Sequence, residues 1–315
     1  LKIVNGVPAL SCFQMDLVYK RAVDAQGNSW NAPQYFDSAP ESGCNLSMCN
    51  VSGLPAVASV TNSGFPRFLK YCRAIDGAGQ NWNLNLNIQQ VNANSATSIQ
   101  MVNNAPAIAY TNGIFGYKVA YKRALDSIGT TWATPVSVDS NANAQNCQLL
   151  NLNGTPAIAY FDSTIGSIRF KHALNSNGTA WSPSTLNFAS STVWFDVAVI
   201  NGRPAIAYIN GANNSLMFSI ATDSLGDFWS AAIPIIVQSG LDSSPALENI
   251  DGFPAVAFAS PSSGLLAYVR ATNSVGSAWG TPTTPSASAS RGSDPTLVSH
   301  NGRPAISYMG ALNER

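Results

Sequence analysis

The chain has 315 residues, 45% of them hydrophobic and only 10% charged, with sixteen basic residues against sixteen acidic ones. No Lys/Arg run or basic stripe occurs, which sets nucleic acid aside as a partner. No apolar run approaches the roughly 20 residues of a membrane span, and the longest, such as Ile233 to Val237, is strand-sized and interrupted by Pro234. Residue 1 is Leu, which suggests a removed signal peptide or a chain defined from its ordered part, and with it an extracellular or cell-surface setting. Five cysteines, with no CxxC and no accompanying His, argue against zinc; Cys44 and Cys49 are the first place to look for a disulfide, with buried free thiols as the alternative.

One phrase returns along the chain: NGVPALSCF, SGLPAVASV, NNAPAIAYT, NGTPAIAYF, NGRPAIAYI, DGFPAVAFA and NGRPAISYM. Its prolines, Pro8, Pro55, Pro106, Pro156, Pro204, Pro254 and Pro304, are spaced by 47, 51, 50, 48, 50 and 50 residues. A second phrase, of the form Ala-x-Asp/Asn-x-x-Gly-x-x-Trp, alternates with it and ends at Trp30, Trp82, Trp132, Trp181, Trp229 and Trp279. Each repeat predicts four short strands. The first carries apolar residues seven and four positions before the proline, as in Ile99 and Val102, and ends in an Asn-Gly type turn, a hairpin signal because both residues tolerate positive φ. The second opens on proline and alternates a small face (Ala107, Ala109) with a large one (Ile108, Tyr110). The third is a Tyr-x-Arg-Ala segment such as Tyr121 to Ala124, and the fourth is expected to start at the tryptophan. No window shows helical spacing.

Four antiparallel strands repeated every ~50 residues predict an all-β fold, a β-propeller of four-stranded antiparallel blades. The repeat units run approximately 1–42, 43–93, 94–142, 143–191, 192–240, 241–290 and a partial 291–315, within a single domain. Leu1 and Val4 already supply the first strand of blade one, so the C-terminal pair of strands duplicates types that the N-terminus has filled. We therefore expect seven blade positions, six complete blades and a C-terminal half-blade; a six-bladed ring with residues 295–315 appended is the alternative. Completion of the half-blade by another molecule is also open.

The repeat NGxPAIxY…YxRAx[DN]xxGxxW resembles those of bacterial extracellular β-propeller proteins over essentially the whole chain. The turn before each Trp is similar to the Asp-box of sialidases, S-x-D-x-G-x-x-W. The position two before Gly is here Ala25, Gly77, Ser127, Ser176, Ser224 or Ser274, and the acid or amide lies one place earlier, at Asp24, Asp76, Asp126, Asn175, Asp223 and Asn273. The resemblance thus implies shared turn mechanics more than shared chemistry.

Catalysis has little support in the residues. A sialidase would need an arginine cluster, a Tyr/Glu pair and an acid/base Asp, but Arg21, Arg73, Arg123 and Arg270 share one repeat position, which points to blade-to-blade packing or surface decoration. The glutamates Glu41 and Glu248 sit near no matching tyrosine motif. His172 and His300 are repeat substitutions, and no G-x-S-x-G, calcium loop or phosphate loop occurs, so no catalytic residue, metal or cofactor is expected. The repeat tryptophans read as structural anchors of the blades. Trp194, outside the repeat position, is the candidate ligand-binding residue, with packing as the competing reading. Two functions follow: a non-catalytic extracellular binding or adhesion propeller, lectin-like, with a glycan as partner, or a self-assembling surface subunit that contacts copies of itself through the half-blade edge. A sialidase-like glycosidase is the remote third.

Overall fold

The computed structural model describes all residues except 15, 38–45, 62–65, 92–95, 113–117, 190–193, 238–242, 261–262, 286–292 and 311–315. It is an all-β fold of antiparallel blades, a β-propeller. The first blade comprises β1 (Lys2–Val4), β2 (Val7–Gln14), β3 (Asp16–Arg21) and β4 (Gln34–Asp37). The second holds β5 (Ser47–Val51), β6 (Leu54–Val60), β7 (Arg67–Ala74) and β8 (Trp82–Val91), and the third β9 (Thr97–Val102), β10 (Ala105–Asn112), β11 (Lys118–Arg123) and β12 (Val136–Asp139). The fourth holds β13 (Ala144–Leu152), β14 (Thr155–Asp162), β15 (Ser167–His172) and β16 (Leu186–Ala189). The fifth holds β17 (Phe195–Ile200), β18 (Arg203–Asn210), β19 (Ser215–Ile220) and β20 (Ile233–Ile236). Then come β21 (Ala246–Ile250), β22 (Phe253–Ala259) and β23 (Leu266–Arg270) in the sixth, and the two-stranded sheet β24 (Ser293–His300) and β25 (Arg303–Met309). Each four-stranded sheet keeps its strands in sequence order. Two compact units are present, residues Leu1–Thr164 with Lys171–Pro183, and Ile165–Phe170 with Ser184–Arg315.

The local chemistry explains each strand. The Asn-Gly type turns hold both central residues at positive φ (Asn153 at 51° and Gly154 at 92°), the geometry whose twist matches two right-twisted strands. The Pro-Ala-Ile/Val-Ala strand that follows is buried on both faces, so its small and large sides each meet a packed neighbour. In the first unit β5 and β9 lie side by side, as do β9 and β13; in the second β17 adjoins β21 and β21 adjoins β24.

Two expectations need correction. The fourth strand starts at the tryptophan only in the second blade, where Trp82 opens a ten-residue strand. Trp30, Trp132, Trp181, Trp229 and Trp279 instead each form one isolated bridge to the alanine that immediately follows the third strand. In four of these blades a proline, Pro33, Pro135, Pro183 or Pro282, stands between the tryptophan and the point where pairing resumes, whereas the segment after Trp82 has none; Pro234 of the fifth blade lies inside β20 and does not account for the delay there. In the sixth blade the fourth-strand pairing among the described residues consists of two bridges, Ala271 to Trp279 and Tyr268 to Thr283. Second, Cys49 is a buried free thiol, so no Cys44–Cys49 disulfide forms; Cys44 itself lies outside the described residues. Cys49 packs in the core of its blade, where burial pushes its thiol up to about 12.

The arginines of the Tyr-x-Arg-Ala strand work within their own blade. Arg73 Nε and Nη2 donate to the Val51 carbonyl at 3.3 and 3.2 Å, and Arg123 donates to the Val102 and Asn103 carbonyls at 3.2 and 2.6 Å. Arg270 does the same at Ile250, 2.8 Å. Each guanidinium thus caps the end of its own blade's first strand, a role the sequence did not disclose.

Between successive blades one contact recurs. The aromatic residue of each third strand lies edge-on against the next blade's tryptophan: Tyr19 on Trp82 (5.4 Å between ring centroids), Tyr71 on Trp132 (5.1 Å), Tyr121 on Trp181 (5.3 Å), Phe170 on Trp229 (5.2 Å) and Phe218 on Trp279 (5.2 Å). The same ring sits over the turn glycine of that next blade. A Cβ at Gly129 would lie 2.6 Å from Tyr71, and one at Gly178 only 2.4 Å from Tyr121. These glycines are therefore required for close approach as well as for positive φ.

Gly129→Ala combines left-handed strain with a ring clash and should cost about 3 kcal/mol, whereas Gly154→Ala, with open space around it, should cost only the backbone strain of about 1–2 kcal/mol. Urea denaturation of the two variants measures the difference; equal losses would show that the ring imposes no constraint. The Tyr71 hydroxyl donates to the Ile128 carbonyl at 2.9 Å, but the buried Tyr121 hydroxyl has no hydrogen-bond partner among the described residues. Tyr71→Phe should then lose about 1 kcal/mol while Tyr121→Phe is neutral or stabilising, read in the same denaturation experiment.

Candidate functional site

The turn joining the third and fourth strands is the element built most uniformly from blade to blade. In the third blade Asp126 Oδ1 accepts the backbone N–H groups of Ile128, Gly129 and Thr130 at 3.0, 2.7 and 3.1 Å. Its Oδ2 accepts the Thr131 N–H at 2.8 Å and the hydroxyls of Thr130 and Thr131 at 2.8 and 2.9 Å. Asp76 and Asp223 are held in the same way, and Asn175 and Asn273 reproduce the arrangement with an amide oxygen. Burial of the Asp126 carboxyl raises its pKa, but the donors from Thr130 and Thr131 outweigh it and hold the group below the ordinary carboxylate range. The indole N–H of the tryptophan then donates back to the turn glycine's carbonyl in all six blades, at 2.8 to 3.1 Å.

These turns present a repeating surface. All six indoles are half-buried. Seven residues before each tryptophan, an aliphatic side chain stands in solvent in the first four blades: Val23, Ile75, Leu125 and Leu174 are 60, 53, 68 and 63% exposed. Its backbone N–H bonds the carbonyl of the residue before the tryptophan, as Leu125 does with Thr131 at 2.9 Å. In the fifth blade that residue is Phe228, 72% exposed. Single exposed apolar residues are ordinary, but the same position exposed in four consecutive blades is a pattern. Sequence reasoning passed over this row, although the residue after Tyr-x-Arg-Ala carries it directly in the first three blades.

The other candidates are placed as follows. Trp194 immediately precedes β17, is half-buried against the core of the second unit, and its carbonyl accepts the Ile209 N–H at 3.1 Å. It is not at one of the turns. His172 is buried at the Arg position of its strand, with Nδ1 2.9 Å from the Ala173 carbonyl. Glu248, half-buried on β21, accepts the Asn249 N–H at 2.8 Å; Glu41 lies outside the described residues. A cluster that the sequence did not disclose joins β12, β14 and β15. Asp139 Oδ2 accepts the Tyr160 hydroxyl at 2.7 Å and pairs with the Lys171 ammonium at 3.1 Å, while Oδ1 accepts the N–H groups of Asn141 and Ala142. Both oxygens are thus engaged within the fold, and the pairing has the character of a seam fastener. Among the described residues no group of His, Cys, Asp and Glu could hold a metal ion, and no helix is long and apolar enough to cross a membrane.

No protein-family model and no curated protein matches the sequence. Solved structures do match. An Aleuria aurantia lectin in complex with Fucα1-6GlcNAc aligns at TM-score 0.55 and 12% identity, over 85% of this chain and 89% of the lectin. An ulvan lyase of polysaccharide lyase family 25 bound to -[GlcA(1-4)Rha3S]- aligns at TM-score 0.60 and 10% identity, over 97% and 90%. A Hadza microbial sialidase aligns at TM-score 0.51 and 14% identity over 85% of this chain, which spans 63% of the sialidase. At such identities the likeness is one of fold.

The lowered acidity of the turn carboxylate sets a pH dependence. Because the folded group ionises below its unfolded counterpart, its stabilisation is present at neutral pH and lost as pH falls from about 4 through its depressed folded value. Asp126→Asn keeps the turn, as Asn175 and Asn273 do, but removes that titration. The stability gap between wild type and Asp126→Asn, followed by chemical denaturation at several pH values, should close on acidification; a gap constant from pH 7 to pH 2 would refute the assignment.

Proposed function

We propose that this chain is a non-catalytic, extracellular carbohydrate-binding propeller that gains strength from repeated weak sites on its blade turns. The observation that carries the reading is the recurrence, in six blades, of a half-exposed indole on a turn fixed by an Asp or Asn side chain. A pyranose has C–H faces that pack on indole and aliphatic groups, and hydroxyls that need donors and acceptors. The Asn-, Ser- and Thr-rich turns carry both kinds of group within a few residues. Fixing the turn before binding reduces the ordering cost of each contact. Repetition then multiplies weak affinities wherever a glycan surface can meet several turns at once.

The fold likeness to a lectin, a lyase and a sialidase supports a carbohydrate ligand and leaves binding and catalysis both open. The hydrogen bonding of the acids favours binding. Asp24, Asp76, Asp126 and Asp223 are committed to their turns and held ionised, so none is poised to donate a proton near neutral pH.

An array of neutral, uronic-acid and sialylated glycans at high and low density tests the proposal. Binding is expected on dense glycan surfaces, with free monosaccharide competing only weakly. The combined variant Val23→Ser, Ile75→Ser, Leu125→Ser and Leu174→Ser should weaken it by about tenfold or more while leaving the melting temperature nearly unchanged, because all four side chains are exposed. No binding to any glycan, or turnover of a sialoside at a rate above background, would overturn it.

A further inference from the structure

Across each turn two side chains stand on the same side. Ala22 is bridged to Trp30, Ala124 to Trp132, Ala173 to Trp181 and Ala221 to Trp229, so the next residues inward, seven and one before the tryptophan, face each other. One backbone bond closes every such pair: Val23 to Ser29, Ile75 to Asn81, Leu125 to Thr131, Leu174 to Ala180, Thr222 to Phe228 and Thr272 to Ala278, at 2.8 to 2.9 Å. In the first four blades the large apolar member is the first of the pair, and the second is Ser29, Asn81, Thr131 or Ala180. In the fifth the two are exchanged: Thr222 takes the first place and Phe228, 72% exposed, takes the second. Opposite residues cover one patch of surface, so the exchange keeps a large apolar group at that spot while changing which residue supplies it. The turn itself does not require such a group, as the pair Thr272 and Ala278 of the sixth blade shows.

Phe228 is also held on both sides of its backbone. Its N–H donates to Asp223 Oδ2 at 2.8 Å, and its carbonyl accepts the Thr222 N–H at 2.8 Å and the Thr222 hydroxyl at 3.4 Å. Trp229, the next residue, is turned inward: Phe170 lies edge-on to it at 5.2 Å, and its indole donates to the Gly226 carbonyl at 2.8 Å. Neighbouring side chains of an extended segment point to opposite sides, which is why Phe228 is turned out to solvent. A flat ring on a fixed backbone offers stacking area at small ordering cost. Ile220 stands where Arg123 does in the third blade, residues 215–229 hold no Lys, Arg or His, and Asp223 stays ionised. These surroundings fit an uncharged ligand.

We propose, resting on the carbohydrate-binding reading, that Phe228 is the sugar-stacking residue of the fifth blade and that its ligand is an uncharged pyranoside whose axial C–H groups form one unbroken face, as in a β-glucoside. The ring packs against that face, while the equatorial hydroxyls project past the ring edge to water and to the polar side chains of the turn. In the α anomer the axial glycosidic oxygen stands on the same face and holds the ring away. The contact therefore discriminates between anomers without a hydrogen bond to the anomeric oxygen.

Methyl β-glucopyranoside and its α anomer, each titrated against the whole chain and followed by saturation-transfer NMR, test the assignment. Saturable binding of the β anomer with a Kd of about 1–10 mM is expected, at least about threefold tighter than that of the α anomer, with transfer concentrated on the axial protons of one face. Phe228→Ala should weaken it by about tenfold or more and Phe228→Trp should retain it, and both variants should melt near the wild-type temperature because the side chain is exposed. The variant carrying Val23→Ser, Ile75→Ser, Leu125→Ser and Leu174→Ser should bind the β-glucoside as wild type does. Equal binding of the two anomers, or binding unchanged in Phe228→Ala, would overturn the role of Phe228 and leave the broader carbohydrate reading standing. Absence of glucoside binding would overturn it too, and the glycan array then decides separately whether that broader reading survives.

Discussion

The contact between a third-strand aromatic ring and the next blade's Gly-x-x-Trp turn is the constraint on which the other features depend. A four-stranded sheet of short strands is too small to bury its own apolar faces, so each blade is stable only against a neighbour. The edge-on ring pairs, at centroid separations of 5.1 to 5.4 Å, carry that dependence from blade to blade. They also explain why the turn residue must be glycine: the ring occupies the space where a Cβ would stand. Shape at this point is fixed by exclusion as much as by attraction.

Around that contact, polar groups are arranged to hold the partners still. The Asp or Asn at the head of the turn gathers the backbone N–H groups that a tight turn would otherwise leave to water, and the indole N–H bonds the glycine carbonyl, so the tryptophan cannot rotate away from its ring partner. The arginine two residues after the aromatic ties the third strand to the end of the first. These bonds are individually worth about 1–3 kcal/mol, less than the aromatic burial they orient. Their main effect is to keep six copies of one geometry alike despite loops that differ. The exposed aliphatic row from Val23 to Leu174 lies beside the turns so fixed.

The seams differ where the repeat differs. Asp139, Tyr160 and Lys171 fasten the third and fourth blades by charge, whereas Phe188 stacks on Tyr208 in the second unit at 5.3 Å. Both arrangements fill equivalent places on a fourth strand, opposite residues two before the aromatic of the third. The polar version satisfies each oxygen of its carboxylate, which is why a buried charge is tolerated there.

The sequence by itself determined the blade. The alternation of small and large residues after each proline, the Asn-Gly turns and the ~50-residue spacing leave one way to arrange four antiparallel strands, because side-chain period and turn geometry act over a few residues and are written locally. In four blades the proline after the tryptophan also marks where the fourth strand resumes, because it precedes the first paired residue. Tertiary structure alone decided what each residue meets across a seam. That Tyr71 covers Gly129, that Arg123 caps its own first strand, that Asp139 finds Lys171, and that Cys49 stays a free thiol all involve partners 20 or more residues away or a packed environment. Nothing in the residue types of a repeat says whether a conserved-looking position faces its own blade, the next one or solvent. That choice is made by how the sheets twist and pack, and it separates the buried ring of Tyr121 from the half-exposed ring of Tyr268 although the two stand at the same place in the repeat.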